Sequence, residues 1–189
     1  MITLHVLAQS RALRIVWLLE LIGAPYQIKT YARHPETLLA PDELKAVHPL
    51  GKSPVIDDDG FVLNESGAIT DYLIQTYGGG CFMPERGSQD YWHYQRWLHY
   101  AEGSLMPLLL LGLVFRKIEN ASMPFFIKPI ARKISGNVKN GFIEPQAAAD
   151  RFGLADYPNI RAYLQRIEKD PAYQTAVQKA GDPLLRLDK

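Results

Sequence analysis

Residues 48–66, HPLGKSPVIDDDGFVLNES, decide the fold of this chain. Two short runs of strand-forming residues, beginning at Val55 and Phe61, flank an Asp/Gly turn, and this order is typical of an antiparallel hairpin. Pro54 leads directly into the first strand, where a residue without an N–H is tolerated. We predict that the Ser53–Pro54 bond is cis and that it turns the backbone of Val55 outward.

A helix is predicted directly after the hairpin. Four residues at helical spacing share one apolar face, namely Ile69, Tyr72, Leu73 and Tyr77. Gly78 closes this segment as a C-cap, which places Glu65 and Ser66 at the N-terminus of the helix. The unpaired N–H groups there, with the Ser66 hydroxyl, can hold a carboxylate. The exposed N–H and C=O of Val55 can pair with a peptide-like ligand, so the sequence predicts a slot for a short anionic peptide.

The residues before the hairpin predict a strand, a helix and a second parallel strand. Ile2–Leu7 alternates as a strand does, helical spacing begins at Arg11 and stops at Gly23, and Tyr26–Tyr31 is the second strand. A short helical segment at 41–47 follows. The predicted order is therefore β-α-β-α-β-β-α, which a thioredoxin-like α/β domain would give.

Two motifs in this region resemble the glutathione-binding half of the cytosolic glutathione S-transferases. They are Gly51-Lys52-Ser53-Pro54-Val55 and Asn64-Glu65-Ser66-Gly67-Ala68-Ile69. The chain is most similar to the fungal and bacterial branch that carries a serine near the N-terminus. The resemblance implies a thioredoxin-like N-terminal domain, an all-α C-terminal domain, and attack of the glutathione thiolate on a small electrophile. It runs from Ile2 to about residue 144 and resumes over about residues 147–181.

Ser10 lies at the junction of the first strand and the first helix. A serine at this place is often an N-cap. In serine-type members of the family, the hydroxyl at this junction donates to the sulfur of glutathione, and the resemblance gives Ser10 this catalytic role. Lowering a thiol pKa of about 8.5 by roughly 2 units takes about 2.7 kcal/mol. One hydrogen bond to a charged group supplies roughly 1.5–3 kcal/mol, which is enough.

The resemblance also implies the residues that hold glutathione. Lys52 would meet the glycyl carboxylate, and Val55 would pair with the cysteinyl backbone. Glu65 and Ser66 would hold the γ-glutamyl end. An acid at a helix start is also favoured without any ligand, so that alternative stays open for Glu65.

Two further residues are possible contributors. Arg14 would add to the positive field around the thiolate, although a solvated helix face is an equal alternative. Glu102 would reach the glutathione ammonium across a dimer, as an acid on this helix does in some family members. The resemblance implies no metal, glutathione as co-substrate and a homodimer.

Composition excludes several other classes of protein. The chain of 189 residues has a net charge of +1, which gives no field for nucleic acid. Its single cysteine, Cys81, cannot form an internal disulfide, which fits a reducing compartment. The longest apolar run, residues 105–115, is too short to span a bilayer. With no signal peptide recognised at the N-terminus, we expect a soluble, cytoplasmic protein without nucleic-acid or membrane partners.

A Gly/Pro-rich stretch at residues 78–87 predicts the boundary between two domains. We expect a thioredoxin-like domain at residues 1–77 and an all-helical domain at 88–189, whose first helix runs from about Gln89 to Leu111. The resemblance implies that the stretch from Met123 to Phe142 forms part of the wall of the electrophile site.

The chain departs from the family near Gln146, where a further helical stretch and a capping box are missing. Two alternatives to the transferase therefore stay open. One is a glutathione-dependent disulfide reductase that uses the same slot. The other is a non-catalytic interaction module that keeps the fold.

Overall fold

The computed structural model of the protein describes residues 1–121, 128–138 and 158–181. These residues form two compact units. The first unit contains Met1–Ser88 together with Leu164–Lys189, and the second contains Gln89–Tyr163. Each unit is described by itself below.

A four-stranded sheet is the centre of the first unit. Its strands are β1 (Ile2–Leu7), β2 (Tyr26–Tyr31), β3 (Val55–Asp58) and β4 (Phe61–Asn64), in the order β2-β1-β3-β4. Strands β1 and β2 are parallel, and β3 is antiparallel to both β1 and β4. Strands β1 and β2 have the predicted bounds, whereas β3 continues through Asp57 and Asp58, which the sequence assigned to the turn. The thioredoxin-like fold expected from the sequence is confirmed.

The β3–β4 hairpin turns at Asp59 and Gly60, which both have positive φ angles, of 50° and 93°. Two successive residues with positive φ are what a type I′ turn requires, and this turn matches the twist of the strands. The Asp57 carboxylate accepts the Gly60 N–H at 2.8 Å. The acidic run before Gly60 therefore has a local structural use.

Helices cover both faces of the sheet. The helices of this unit before residue 88 are α1 (Leu13–Ile22), α2 (Asp42–Val47) and α3 (Ser66–Tyr77). Ile2, Leu4 and Val6 of β1 pack against α1 and α3 in the main core, whereas Leu7 packs with Tyr31 and Leu44 of α2. Each fully buried aliphatic side chain contributes about 1.5–3 kcal/mol. Side chains on the two faces of β1 therefore belong to two separate hydrophobic cores.

Over residues 158–181 the structure describes two helices, namely α7 (Pro158–Lys169) and α8 (Pro171–Ala180). Helix α8 packs against α1 within the first unit, with Ala176 in the main core. The Trp17 and Tyr173 rings meet edge to face at 5.3 Å, and Lys179 pairs with Glu20 at 2.5 Å. Helix α8 therefore belongs by its contacts to the sheet-containing unit, while the domain division at residues 78–87 stays a prediction.

The second unit is helical in the residues that the structure describes there, apart from Ala121, which follows the end of a helix in an extended conformation. It contains α4 (Gln89–Tyr100), a π-helical segment (Ala101–Leu105), α5 (Met106–Asn120) and α6 (Lys128–Val138). The predicted helix end at Leu111 is wrong, because α5 continues to Asn120. A glycine such as Gly112 costs a helix only about 1 kcal/mol, and apolar residues follow it. Pro107 lies in the first turn of α5, directly after the π-helical segment.

Some of the predicted features lie outside the described residues. They are the junction at Gln146 and the parts of the 123–142 stretch before and after α6. Within the described residues, no helix combines the length and apolar character needed to cross a membrane.

Candidate functional site

Ser10 lies in the turn between β1 and α1, but it is not the N-cap of the helix. Helix α1 begins at Leu13, and Ala12 occupies the N-cap position without a side-chain capping bond. The N-cap alternative for Ser10 is confirmed only in part: Ser10 precedes the N-cap position, but its hydroxyl accepts an N–H two residues further on, as a capping side chain does. The half-buried Ser10 Oγ accepts the Ala12 N–H at 3.3 Å and lies 3.2 Å from the Ser53 Oγ.

Ser53 connects the end of β1 to the Ser10 hydroxyl. Its Oγ accepts the Leu7 N–H at 3.0 Å and donates to the His5 carbonyl at 2.9 Å. The β1–β3 ladder stops at the pair His5 and Val55, since Pro54 has no N–H to continue it. The Ser53 side chain thus replaces the next backbone pair of the ladder. The Ser53–Pro54 bond is cis, as the sequence predicts.

Arg33 holds the same turn from the other side. Its Nε donates to the Ala8 carbonyl at 2.8 Å, and its Nη2 donates to the Gln9 carbonyl at 3.3 Å. Its Nη1 donates to the Leu38 carbonyl at 3.0 Å. Gln9 has a φ of 54°, a conformation that a residue with a Cβ rarely adopts. The guanidinium therefore fixes a strained backbone directly before Ser10.

His5 and Tyr31 lie beneath this turn on neighbouring strands. The His5 Nδ1 is 2.7 Å from the Tyr31 hydroxyl, and His5 is only 5% exposed. Burial lowers the pKa of His5, and the Lys29 ammonium lowers it further. The buried Nε2 has no hydrogen-bond partner among the residues that the structure describes. His5 is therefore a neutral imidazole at physiological pH.

Val55 is placed at the predicted point but does not have the predicted exposure. It is the first residue of β3 and lies opposite both His5 and Asn64. The whole residue is 0% exposed, so the expectation of an outward-facing N–H and C=O is wrong. Strand β3 lies between β1 and β4, so Val55 has a paired strand on each side and no open sheet edge.

Glu65 and Ser66 stand where β4 ends and α3 begins. Glu65 has φ and ψ angles of 69° and 115°, and Ser66 is 3% exposed. A non-glycine residue with positive φ is strained, and such strain concentrates at ligand sites. The Glu65 carbonyl accepts the first helical bond, from the Ile69 N–H at 2.9 Å. At the start of an α-helix the first N–H groups have no carbonyl of a preceding helical turn to bind.

The sheet brings these features to one end of the first unit. Ser53 contacts Ser10, Val55 lies two residues after Ser53, and Asn64 lies opposite Val55 directly before Glu65. Opposite residues of an antiparallel pair have Cα atoms about 4.5–5.5 Å apart. An extended tripeptide spans about 10 Å. The order of contacts therefore suits a ligand of that size.

The remaining predicted residues are placed as follows. Lys52 is exposed and follows Gly51, whose φ is 56° and where a Cβ would come within 2.9 Å of the Lys45 Cγ. Arg14 is half-buried in α1. Glu102 lies in the π-helical segment of the second unit. In the described ranges, no group of three or more His, Cys, Asp or Glu side chains forms a metal cluster.

Sequence reasoning assigned no role to Ser53 or Arg33. The signal for Ser53 was a hydroxyl directly before the predicted cis proline. Arg33 gave no local signal, because the acceptors that tie it to the site, the Ala8 and Gln9 carbonyls, lie in a turn that is distant in sequence.

Comparisons with known proteins give the family. A family model described as the glutathione S-transferase N-terminal domain matches residues 10–76. The chain is 30% identical to glutathione S-transferase 3 of Schizosaccharomyces pombe over 223 residues, which cover 99% of this chain and 91% of the relative. This chain belongs to the glutathione S-transferase family. Because 223 exceeds the 189 residues of this chain, the relative contains residues with no counterpart here.

Solved structures agree with this assignment. The chain is similar to a glutathione S-transferase of Actinobacillus pleuropneumoniae, with 32% identity, a TM-score of 0.68 and coverage of 97% of this chain and 94% of the other. A glutathione transferase homologue of Lodderomyces elongisporus, solved with two GSH per subunit, has 19% identity and a TM-score of 0.68. That alignment covers 94% of this chain and 97% of the other, and it supports the fold.

Proposed function

We propose that this chain is a glutathione transferase in which Ser10 stabilises the glutathione thiolate for attack on a small electrophile. Family membership makes glutathione the co-substrate. The observation that carries the assignment to Ser10 is the position of its hydroxyl. It lies at the end of the sheet where the cis proline, Val55 and the strained Glu65 meet.

The chemistry requires a hydrogen-bond donor that stabilises the negative charge on the glutathione sulfur. A free thiol has a pKa of about 8.5 and is only a few per cent ionised at neutral pH. The single proton of the Ser10 hydroxyl can be donated to the sulfur, because its oxygen accepts the Ala12 N–H rather than donating. The thiolate then displaces a leaving group from the electrophile, or adds to it, and forms the new carbon–sulfur bond.

The remaining proposed contacts hold the ends of glutathione. The helix start at Ser66 takes the γ-glutamyl carboxylate, and Glu65 faces the ammonium. Lys52 is exposed and free to approach the glycyl carboxylate. Arg14 and Glu102 are the secondary candidates for the thiolate field and for the ammonium of a partner subunit.

The proposal includes a homodimer, a small-molecule electrophile and a cytoplasmic location. The lone Cys81 is exposed and forms no disulfide, which supports a reducing compartment.

Calorimetric titration with glutathione tests the proposal directly. We expect saturable binding that weakens about 10-fold in Lys52→Met, since a charge-assisted contact contributes about 1.5–3 kcal/mol. Lys117→Met, which changes an exposed lysine of the second unit, is the matched control and should bind as the wild type does. Absence of glutathione binding to the wild type would refute the proposal and favour an interaction module. Turnover of a mixed disulfide without any conjugation would favour the reductase.

A further inference from the structure

The Ser53 hydroxyl has a hydrogen-bond arrangement that determines the direction of the Ser10 proton. A hydroxyl has one proton and two acceptor sites. The His5 carbonyl can only accept, so the Ser53 proton is committed to it at 2.9 Å. The Leu7 N–H occupies one acceptor site of Ser53 at 3.0 Å. In the contact between the two serines, Ser10 is therefore the donor and Ser53 is the acceptor.

We propose that Ser53 is a positioning residue that accepts the Ser10 proton whenever no thiolate is present, and that it thereby sets the ionised fraction of bound glutathione. This inference rests on the proposed role of Ser10. Two acceptors compete for one proton, namely the Ser53 oxygen and the sulfur. When the sulfur is protonated, Ser10 donates to Ser53; when the sulfur is ionised, Ser10 donates to the sulfur.

The bond that must be exchanged is long. An O–H···O bond is usually 2.7–2.8 Å, whereas the two serine oxygens are 3.2 Å apart. The Ser10 proton is therefore held weakly and is easily released to a charged acceptor. The Ser10 oxygen does not depend on Ser53 for its position, since the Ala12 N–H donates to it and Arg33 fixes the turn. Removal of the Ser53 acceptor should consequently favour the thiolate.

The test measures the pKa of the glutathione thiol in the complex from the ultraviolet absorbance of the thiolate. In Ser53→Ala we expect the pKa to fall by about half a unit, near the lower end of the range for a neutral hydrogen bond. Ser53→Thr keeps the hydroxyl and should titrate as the wild type does. An unchanged or raised pKa in Ser53→Ala would overturn the inference.

A double-variant cycle separates proton competition from a structural effect. In a Ser10→Ala background there is no proton to compete for, so adding Ser53→Ala should leave the thiol pKa unchanged. The same fall in both backgrounds would mean that the effect comes from the disturbed β1 end, and the inference would fail. If the alanine variant does not fold, Ser53→Val provides the same test with a larger side chain, compared with the isosteric Ser53→Thr, which keeps the acceptor of the Leu7 N–H.

The two proposals fail in different ways. If Ser10→Ala leaves the thiol pKa of the complex unchanged, the proposed role of Ser10 is wrong. If Ser10→Ala raises the thiol pKa but Ser53→Val and Ser53→Thr titrate alike, only the role of Ser53 is wrong.

Discussion

Replacement of Ser10 by alanine should slow conjugation strongly at low pH and weakly at high pH. The change removes the Ser10 hydroxyl, keeps the neighbouring Ser53 hydroxyl, and leaves the backbone turn held by Arg33. Loss of a hydrogen bond to a charged sulfur costs about 1.5–3 kcal/mol. This corresponds to a rise of about 1–2 units in the pKa of the bound thiol and to a loss of about 10- to 100-fold in turnover below that pKa.

The pH dependence follows from the ionisation of the thiol. Below its pKa, the ionised fraction falls tenfold per unit, so the full loss is expected near pH 6.5. Above about pH 8.5 the thiol ionises without help, and the two enzymes should converge. Glutathione affinity should change little, because the hydroxyl acts on the charge of the sulfur and not on the two ends of the tripeptide.

The assay is steady-state conjugation to a chromogenic aryl halide over pH 6–9, with KM for glutathione measured at each pH. Ser10→Thr keeps a hydroxyl and serves as the matched control. A turnover number that is the same in Ser10→Ala and the wild type at pH 6.5 would refute the assignment of Ser10. A loss that is equal at every pH would contradict thiolate stabilisation and indicate a disturbed site.

Three further predictions concern residues that hold the site or the fold. Arg33→Met removes three hydrogen bonds to carbonyls, and we expect about a 10-fold loss of turnover with a KM that changes less; full activity would contradict its positioning role, and Arg33→Lys should recover only part. Asp170→Ala removes the acceptor of both the Tyr173 N–H and the Trp17 indole N–H, so chemical denaturation should show a loss of about 1–2 kcal/mol, whereas Asp170→Asn should keep most of the stability. The lowered pKa of His5 means that the unfolded state binds more protons than the folded state below about pH 6.5. Stability should therefore fall as the pH drops through this range, and melting temperatures at pH 7.5 and 5.5 should differ less in His5→Gln than in the wild type; an equal difference would exclude His5 as the cause.

The local elements of the first unit could be predicted because their signals are local. Alternation over Ile2–Leu7, turn residues at Asp59 and Gly60, and the spacing after Ser66 each act within a few residues. These signals fixed the strands, the hairpin and α3, and the two motifs indicated the family.

Other features depend on contacts between distant parts of the chain. Ser53 and Arg33 gain their roles from carbonyls of β1 and its turn, and no spacing rule connects those positions. The burial of Val55 depends on the position of β3 between β1 and β4, which a strand pattern does not reveal. Helix α5 continues past Leu111, because one glycine costs a helix only about 1 kcal/mol. A single glycine therefore weakens a helix without ending it.

The contact between α8 and α1 has a consequence for biosynthesis. Chains emerge from the ribosome N-terminus first, and structural units fold once all their parts are available. The sheet and α1 are synthesised early, but the partner of Trp17 and Glu20 lies at residues 170–179. Until that segment leaves the exit tunnel, the face of α1 that packs against α8 stays exposed. Nascent chains stalled before residue 170 should therefore be bound by chaperones more strongly than released full-length protein.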